Sequence, residues 1–139
     1  MDSRSPRKVL IVDDERDLVE PLARRLACGG RYEVSSAYDG EDGLYKARIL
    51  RPDAALVDIA MPEMDGWQLC RRLRADPVTR GIGIVVMTAW LSDDLERRAR
   101  SEGVTRLLLK PFEDAELIGA LESLDAPHED RCGEGGDAS

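Results

Sequence analysis

Short apolar runs alternate along the chain with segments of helical period. Val9-Leu10-Ile11-Val12 is a continuous apolar run of strand length, as expected where both faces of a strand are covered. Leu18, Leu22 and Leu26 follow at i, i+4, i+8, predicting an amphipathic helix closed by Gly29-Gly30. Asp17 with Glu20 three residues on predicts a capping box at its start, which would put Pro21 in the first turn. Tyr32–Ala37 is a weaker, edge-type strand, and Asp39-Gly40 turns into a modest helix over Glu41–Leu50 carrying Leu44 and Ala47. That helix ends before Pro52. Ala54-Ala55-Leu56-Val57 is the next buried strand and Asp58 terminates it. The loop Met61-Pro62-Glu63-Met64-Asp65-Gly66 leads to a helix over Trp67–Arg74, with Asp65 and Gln68 as reciprocal caps. Ile82–Met87 is a strand followed directly by Thr88, and Ser92–Glu102 is a polar helix with a thin stripe of Leu91, Leu95 and Ala99. Thr105–Leu109 is the last strand, before Lys110-Pro111, and Leu117, Ile118, Leu121 and Leu124 mark a final amphipathic helix.

The pattern is (βα)5. Strict alternation predicts an α/β fold, a doubly wound five-stranded parallel sheet covered on both faces by right-handed crossovers. With 139 residues the chain suits one domain, here 8–124, preceded by an extension at 1–7. Residues 125–139 have no apolar period and carry Asp125, Glu129, Asp130, Glu134 and Asp137 against Arg131, a local net of −4. They read as an acidic, disordered tail and not as an output domain, which disfavours a DNA-binding regulator.

Composition narrows the function classes. At 42% hydrophobic and 35% charged the chain reads as globular, and aromatics at 4% leave the core to aliphatic side chains. The formal net charge of −8 argues against nonspecific nucleic-acid binding, which relies on Lys and Arg neutralising phosphates. Cys28, Cys70 and Cys132 lie far apart in no metal-ligand spacing, and read as reduced thiols. The charged N-terminus precedes too short an apolar run for a signal peptide, and no run reaches the roughly 18 residues a membrane span needs. The expected location is the cytoplasm.

All strands of such a sheet point the same way, so their C-terminal ends share one edge, where ligands bind. That edge would collect Asp13 and Asp14 from the first strand, Asp58 from the third, Thr88 from the fourth and Lys110 from the fifth. Taken singly, each has a bland reading as a cap or loop residue; their order on four strands favours one working pocket. Three carboxylates repel unless a cation joins them. An open, all-oxygen cluster suits Mg2+, which retains waters and accepts phosphate as a co-ligand. One carboxylate is then placed to attack phosphorus. The cation, an ammonium and a hydroxyl can each meet a phosphoryl oxygen.

These residues resemble those of the receiver domain of two-component response regulators. The resemblance rests on Val9-Leu10-Ile11-Val12-Asp13-Asp14-Glu15, Leu56-Val57-Asp58-Ile59-Ala60-Met61-Pro62-Glu63-Met64-Asp65-Gly66, Val86-Met87-Thr88-Ala89 and Leu109-Lys110-Pro111-Phe112, and runs from about Lys8 to Leu124. It implies a flavodoxin-like sheet of strand order 2-1-3-4-5. It implies that Asp58 is the phosphoacceptor, that Asp14 and Asp58 ligate Mg2+ directly with the Ala60 backbone carbonyl, and that Asp13 acts through water. Thr88 would follow the phosphoryl group inward, and Lys110, before a cis proline bond, would pair with it. The implied phosphoryl donors are a sensor histidine kinase or a small acyl phosphate. The implied output is binding to a downstream protein target, or transfer onward to a histidine phosphotransfer protein. The fourth helix, fifth strand and fifth helix would form the face read by partners or by a second copy in a homodimer. Arg97, Arg98, Arg100, Glu96 and Glu102 are its candidate charges, unless they simply face water. The chain is not expected to be an enzyme beyond self-phosphorylation and autodephosphorylation.

One departure matters. Leu107 stands where receivers commonly carry an aromatic residue that turns inward on activation. The resemblance also puts Ala60 and Trp90 at the family's variable positions near the phosphoryl group, where Ala60 offers no side chain to orient a hydrolytic water and Trp90 would partly cover the site, so hydrolysis should not be unusually fast. Ala60 also lacks the second carboxylate that haloacid-dehalogenase-type phosphatases place two residues after their nucleophile, which disfavours that class.

Overall fold

The structure, a computed structural model, describes residues 6–61 and 64–125. The expectations for the acidic tail beyond Asp125, the first five residues, Pro62, Glu63 and Cys132 lie outside the described residues. Ten elements alternate: β1 Arg7–Val12, α1 Arg16–Ala27, β2 Tyr32–Ala37, α2 Gly40–Leu50, β3 Ala54–Asp58, α3 Gly66–Ala75, β4 Gly83–Thr88, α4 Asp93–Ser101, β5 Arg106–Leu109 and α5 Asp114–Asp125. The five strands form one parallel sheet in the order β2-β1-β3-β4-β5. The fold is the expected flavodoxin-like one, and β2 is indeed an edge.

The continuous apolar runs arise because the sheet is covered twice. Alternate side chains of β1, β3 and β4 enter two separate cores. Val9, Ile11, Leu56, Val85 and Met87 meet Val19, Leu22 and Leu26 of α1 and Leu117, Leu121 and Leu124 of α5. Leu10, Val12, Val57, Ile84 and Val86 meet Ala47 of α2 and Leu69, Cys70 and Leu73 of α3. Every residue of β3 is buried, and each large aliphatic side chain so removed from water contributes about 1.5–3 kcal/mol. At Gly43 a Cβ would stand 2.9 Å from Val12 Cγ2, so the absence of a side chain lets α2 press onto β1.

Several local expectations need correcting. The α1 helix begins at Arg16, two residues earlier than a cap at Asp17 requires, and its N-cap Glu15 makes no side-chain cap bond. The cause lies in the preceding loop, where Asp13 Oδ1 accepts the Glu15 N–H at 3.0 Å and turns the chain early. Pro21 therefore lies inside the helix, where it cannot donate to the Asp17 carbonyl. The apolar stripe runs through Val19, Leu22 and Leu26, while Leu18 is 56% exposed. In α4 only Ala99 is buried; Leu91 precedes the helix and is exposed, and Ser92 caps it by accepting the Leu95 N–H. The capping box at α3 forms as expected, with Gln68 N–H to Asp65 at 2.9 Å and Asp65 N–H to Gln68 at 3.1 Å. At the ends of the domain, β1 starts at Arg7 and α5 runs through Asp125, one residue beyond 8–124 on each side.

Candidate functional site: an acidic pocket at the C-terminal edge of the sheet

β1 and β3 are neighbours, so Asp13 and Asp58 emerge side by side where the strands end. One oxygen from each of Asp13, Asp14 and Asp58 lies within 4.8 Å of the others. Asp13 is 3% exposed and Asp58 6% exposed, while Asp14 faces solvent. Lys110 reaches in from the end of β5. Its Nζ lies 3.0 Å from Asp13 Oδ2 and 3.6 Å from Asp58 Oδ2, and the Lys110–Pro111 bond is cis. Ala60 N–H donates to Asp58 Oδ1 at 3.1 Å.

The electrostatics are those of a pocket short of positive charge. Burial pushes the Asp58 carboxyl above its ordinary range and the Asp13 charge pushes the same way, against the Ala60 N–H and the Lys110 ammonium. Burial alone would lower Lys110. The hydrogen bond and charge of Asp13, with the charges of Asp58 and Glu15, outweigh it and hold the ammonium above its usual range. One ammonium thus serves two buried carboxylates.

Thr88, 5% exposed at the end of β4, is engaged with its own loop. Its Oγ1 donates to the Trp90 carbonyl at 3.0 Å and accepts from the Trp90 N–H at 3.2 Å. The Trp90 side chain is 77% exposed. Leu107 is a half-buried strand leucine packed on the α2/α3 core. Of the charges expected on the fourth helix, Arg98 stacks on Trp67 of α3 at 4.7 Å and Glu102 accepts from Arg71 at 2.9 Å. Those two hold α4 to α3, leaving Arg97, Arg100 and Glu96 on the outer surface.

Gly66 is the site residue whose importance sequence reasoning missed. A Cβ there would stand 2.5 Å from Ile59 Cα and 2.6 Å from the Asp58 carbonyl oxygen. Only glycine lets the start of α3 abut the end of β3, with Gly66 N–H donating to the Ile59 carbonyl at 3.2 Å. The available signal was a glycine directly after a helix cap, following a strand-end acid.

Residues 9–122 match the response regulator receiver domain family. This chain belongs to that family. Like its relatives, this receiver domain carries the two-component signalling fold. Response regulator PleD of Caulobacter vibrioides is 38% identical over 117 residues, covering 84% of this chain and 26% of PleD. Transcriptional regulatory protein PdtaR of Mycobacterium tuberculosis is 36% identical over 121 residues, covering 87% of this chain and 58% of PdtaR. The chain thus spans less than two thirds of the length of these curated relatives. Among solved structures, chemotaxis protein CheY4 of Vibrio cholerae superposes with a TM-score of 0.82 at 30% identity, covering 86% of this chain and 99% of that one. A response regulator from Chloroflexus aurantiacus gives 0.79 at 33% identity, covering 88% and 100%. Among the described residues no helix of this receiver is long and apolar enough to cross a membrane.

Proposed function

We propose that this receiver accepts a phosphoryl group on Asp58, with Mg2+ held in the acidic pocket, and that the modification switches its binding to other proteins. The observation that carries the reading is that three carboxylates bring oxygens within 4.8 Å of one another while Lys110 pairs with two of them, Asp13 and Asp58. Such a pocket is under-neutralised, and a small hard cation is what its donor set fits. Asp14, Asp58 and the Ala60 carbonyl would hold the ion directly and Asp13 through water; bound there, it neutralises carboxylate and phosphoryl oxygens. An Asp58 oxygen forms the new bond to phosphorus as the bond to the donor, the imidazole nitrogen of a sensor histidine kinase or the acyl oxygen of a small phosphate, breaks. Lys110 neutralises a phosphoryl oxygen. Thr88 donates to another after releasing the Trp90 carbonyl, since its hydroxyl has one proton. The protein acts as a cytoplasmic switch and turns over no external substrate beyond its own phosphorylation and dephosphorylation. Its partners are a kinase and a downstream target, with the α4-β5-α5 face available to a second copy. Since Ala60 cannot position a water, the phosphorylated form should outlast a few seconds.

Intact-mass spectrometry after incubation with acetyl phosphate tests this. The expected result is a gain of one phosphoryl group that requires Mg2+ and is absent in Asp58→Asn. No gain under any condition would leave a phosphorylation-inert binding scaffold. Rapid transfer from the phosphorylated protein to a histidine phosphotransfer domain would instead make it a relay intermediate.

A further inference from the structure

A cavity of about 470 Å3 lies at the opposite edge of the sheet, among the starts of β1, β3 and β4 and the C-terminal ends of α2, α3 and α5. Among the described residues its charged lining is Arg7, Arg51, Arg74 and Arg80 against Asp53. This is a positive concavity in a chain of net charge −8. Outside the cavity Arg25 pairs with Asp114, Arg31 with Glu122, Arg48 with Asp76 and Arg71 with Glu102, while Arg24, Arg72 and Arg100 are exposed without an ion pair among the described residues, so what distinguishes the cavity is that its arginines converge on one concavity. Arg51, Arg74 and Arg80 form no ion pair among the described residues. Arg74 is half-buried and donates only to carbonyls, those of Arg80 at 2.7 Å, Ile82 at 2.6 Å and Gly103 at 2.6 Å. Carbonyls satisfy its protons but leave its charge uncompensated, and burial pulls its pKa down. Ile82 and Leu124 add apolar wall.

We propose that this cavity binds a small molecule bearing two or more phosphate charges, of about the size of a nucleoside diphosphate. The volume lies within the range of small-molecule sites. Guanidinium groups recognise phosphate oxygens in a bidentate way, and a concave wall focuses their field. Arginines near helix C-termini also offset the helix dipole. That role does not account for the bonds of Arg74, whose acceptors are loop carbonyls beyond α3 and α4, nor for why Arg80, in the loop beyond α3, and Arg51, just past α2, share a cavity with it.

The experiment is calorimetric titration of the full chain with inorganic pyrophosphate and with a nucleoside diphosphate. It is done in chelator on Asp58→Asn, so the acidic pocket at the far edge takes no part. Both probes should bind, and the nucleoside alone should not. Arg51→Ala with Arg80→Ala should weaken binding at least about tenfold, the loss expected for one charge-assisted contact. Arg80→Ala by itself removes an exposed side chain with no hydrogen bond of its own among the described residues, so it keeps the fold and should still weaken binding. Asp53→Asn, which removes the acid of the lining among the described residues, should tighten it. Absence of binding by both probes at millimolar concentration would overturn the proposal, as would an affinity unchanged by the arginine substitutions. A purely dipolar role for these arginines would alter thermal stability and leave pyrophosphate affinity untouched.

Discussion

The two ends of the same five strands solve opposite electrostatic problems. At the C-terminal edge, Asp13 and Asp58 are buried and share one ammonium, so the pocket holds more negative charge than its partners balance. At the N-terminal edge, Arg74 is half-buried too, but backbone carbonyls from two loops take its protons, and the group staples those loops together. The carboxylates are placed where they weaken the unliganded fold, and the arginine where it strengthens it. A strained charge cluster is what a cation and a phosphoryl group can relieve. A satisfied guanidinium is architecture first, with its residual charge left for whatever enters the cavity.

The largest effect should come from Lys110→Met, which leaves the buried carboxylates without their cation. A loss of about 3–5 kcal/mol at neutral pH is expected in urea unfolding, and Mg2+ should restore part of it. Arg74→Ala should cost roughly 1–2 kcal/mol, because three loop carbonyls, of which that of Ile82 is part-buried, lose a charged donor. A loss near zero there would show that the staple carries no weight. Asp58→Asn should stabilise the protein in chelator at neutral pH. The folded-state pKa of Asp58 is raised above its ordinary value of 3.8. Its contribution is therefore fully present below that value and lost as pH rises through the raised one. Asparagine removes that loss, so the variant's advantage should vanish in acid and shrink in Mg2+. Each kcal/mol gained moves Tm by roughly 2–8 °C in a differential scanning measurement. Smallest is Asp14→Asn: its carboxylate faces solvent, so unliganded stability should change by less than about 0.5 kcal/mol, while the stabilisation by Mg2+ falls.

Much of the molecule was legible along the chain. The runs Val9–Val12 and Ala54–Val57 announce strands because strands covered on both faces need no polar alternation. Asp13, Asp58 and Lys110 could be read as neighbours because each stands at a strand end and parallel strands end together, while Thr88 ends β4 with its hydroxyl engaged by Trp90. The α3 capping box was visible because it is local, spanning the four residues from Asp65 to Gln68. The one expected at α1 failed because the Glu15 N–H is taken by a pocket residue, Asp13 Oδ1, which starts the helix earlier. The stripe expected through Leu18, Leu22 and Leu26 was misplaced at its first position, because Val19, Leu22 and Leu26 at i, i+3, i+7 satisfy the helical period equally well. The docking angle of α1 on the sheet buries Val19 and leaves Leu18 over a cleft with Met87, Lys110 and Phe112.

By itself, then, the sequence determined the order and type of the elements and which chemistry-bearing residues stand at strand ends. Those features follow from periodicity and caps that act within a few residues. The tertiary structure decided what crosses long separations. Lys110 reaches Asp13 across 97 positions, Gly66 must lack a side chain because it abuts the end of β3, and arginines from four segments meet at the far edge. Burial, close approach and summed charge depend on which segments pack together, and no local pattern carries that.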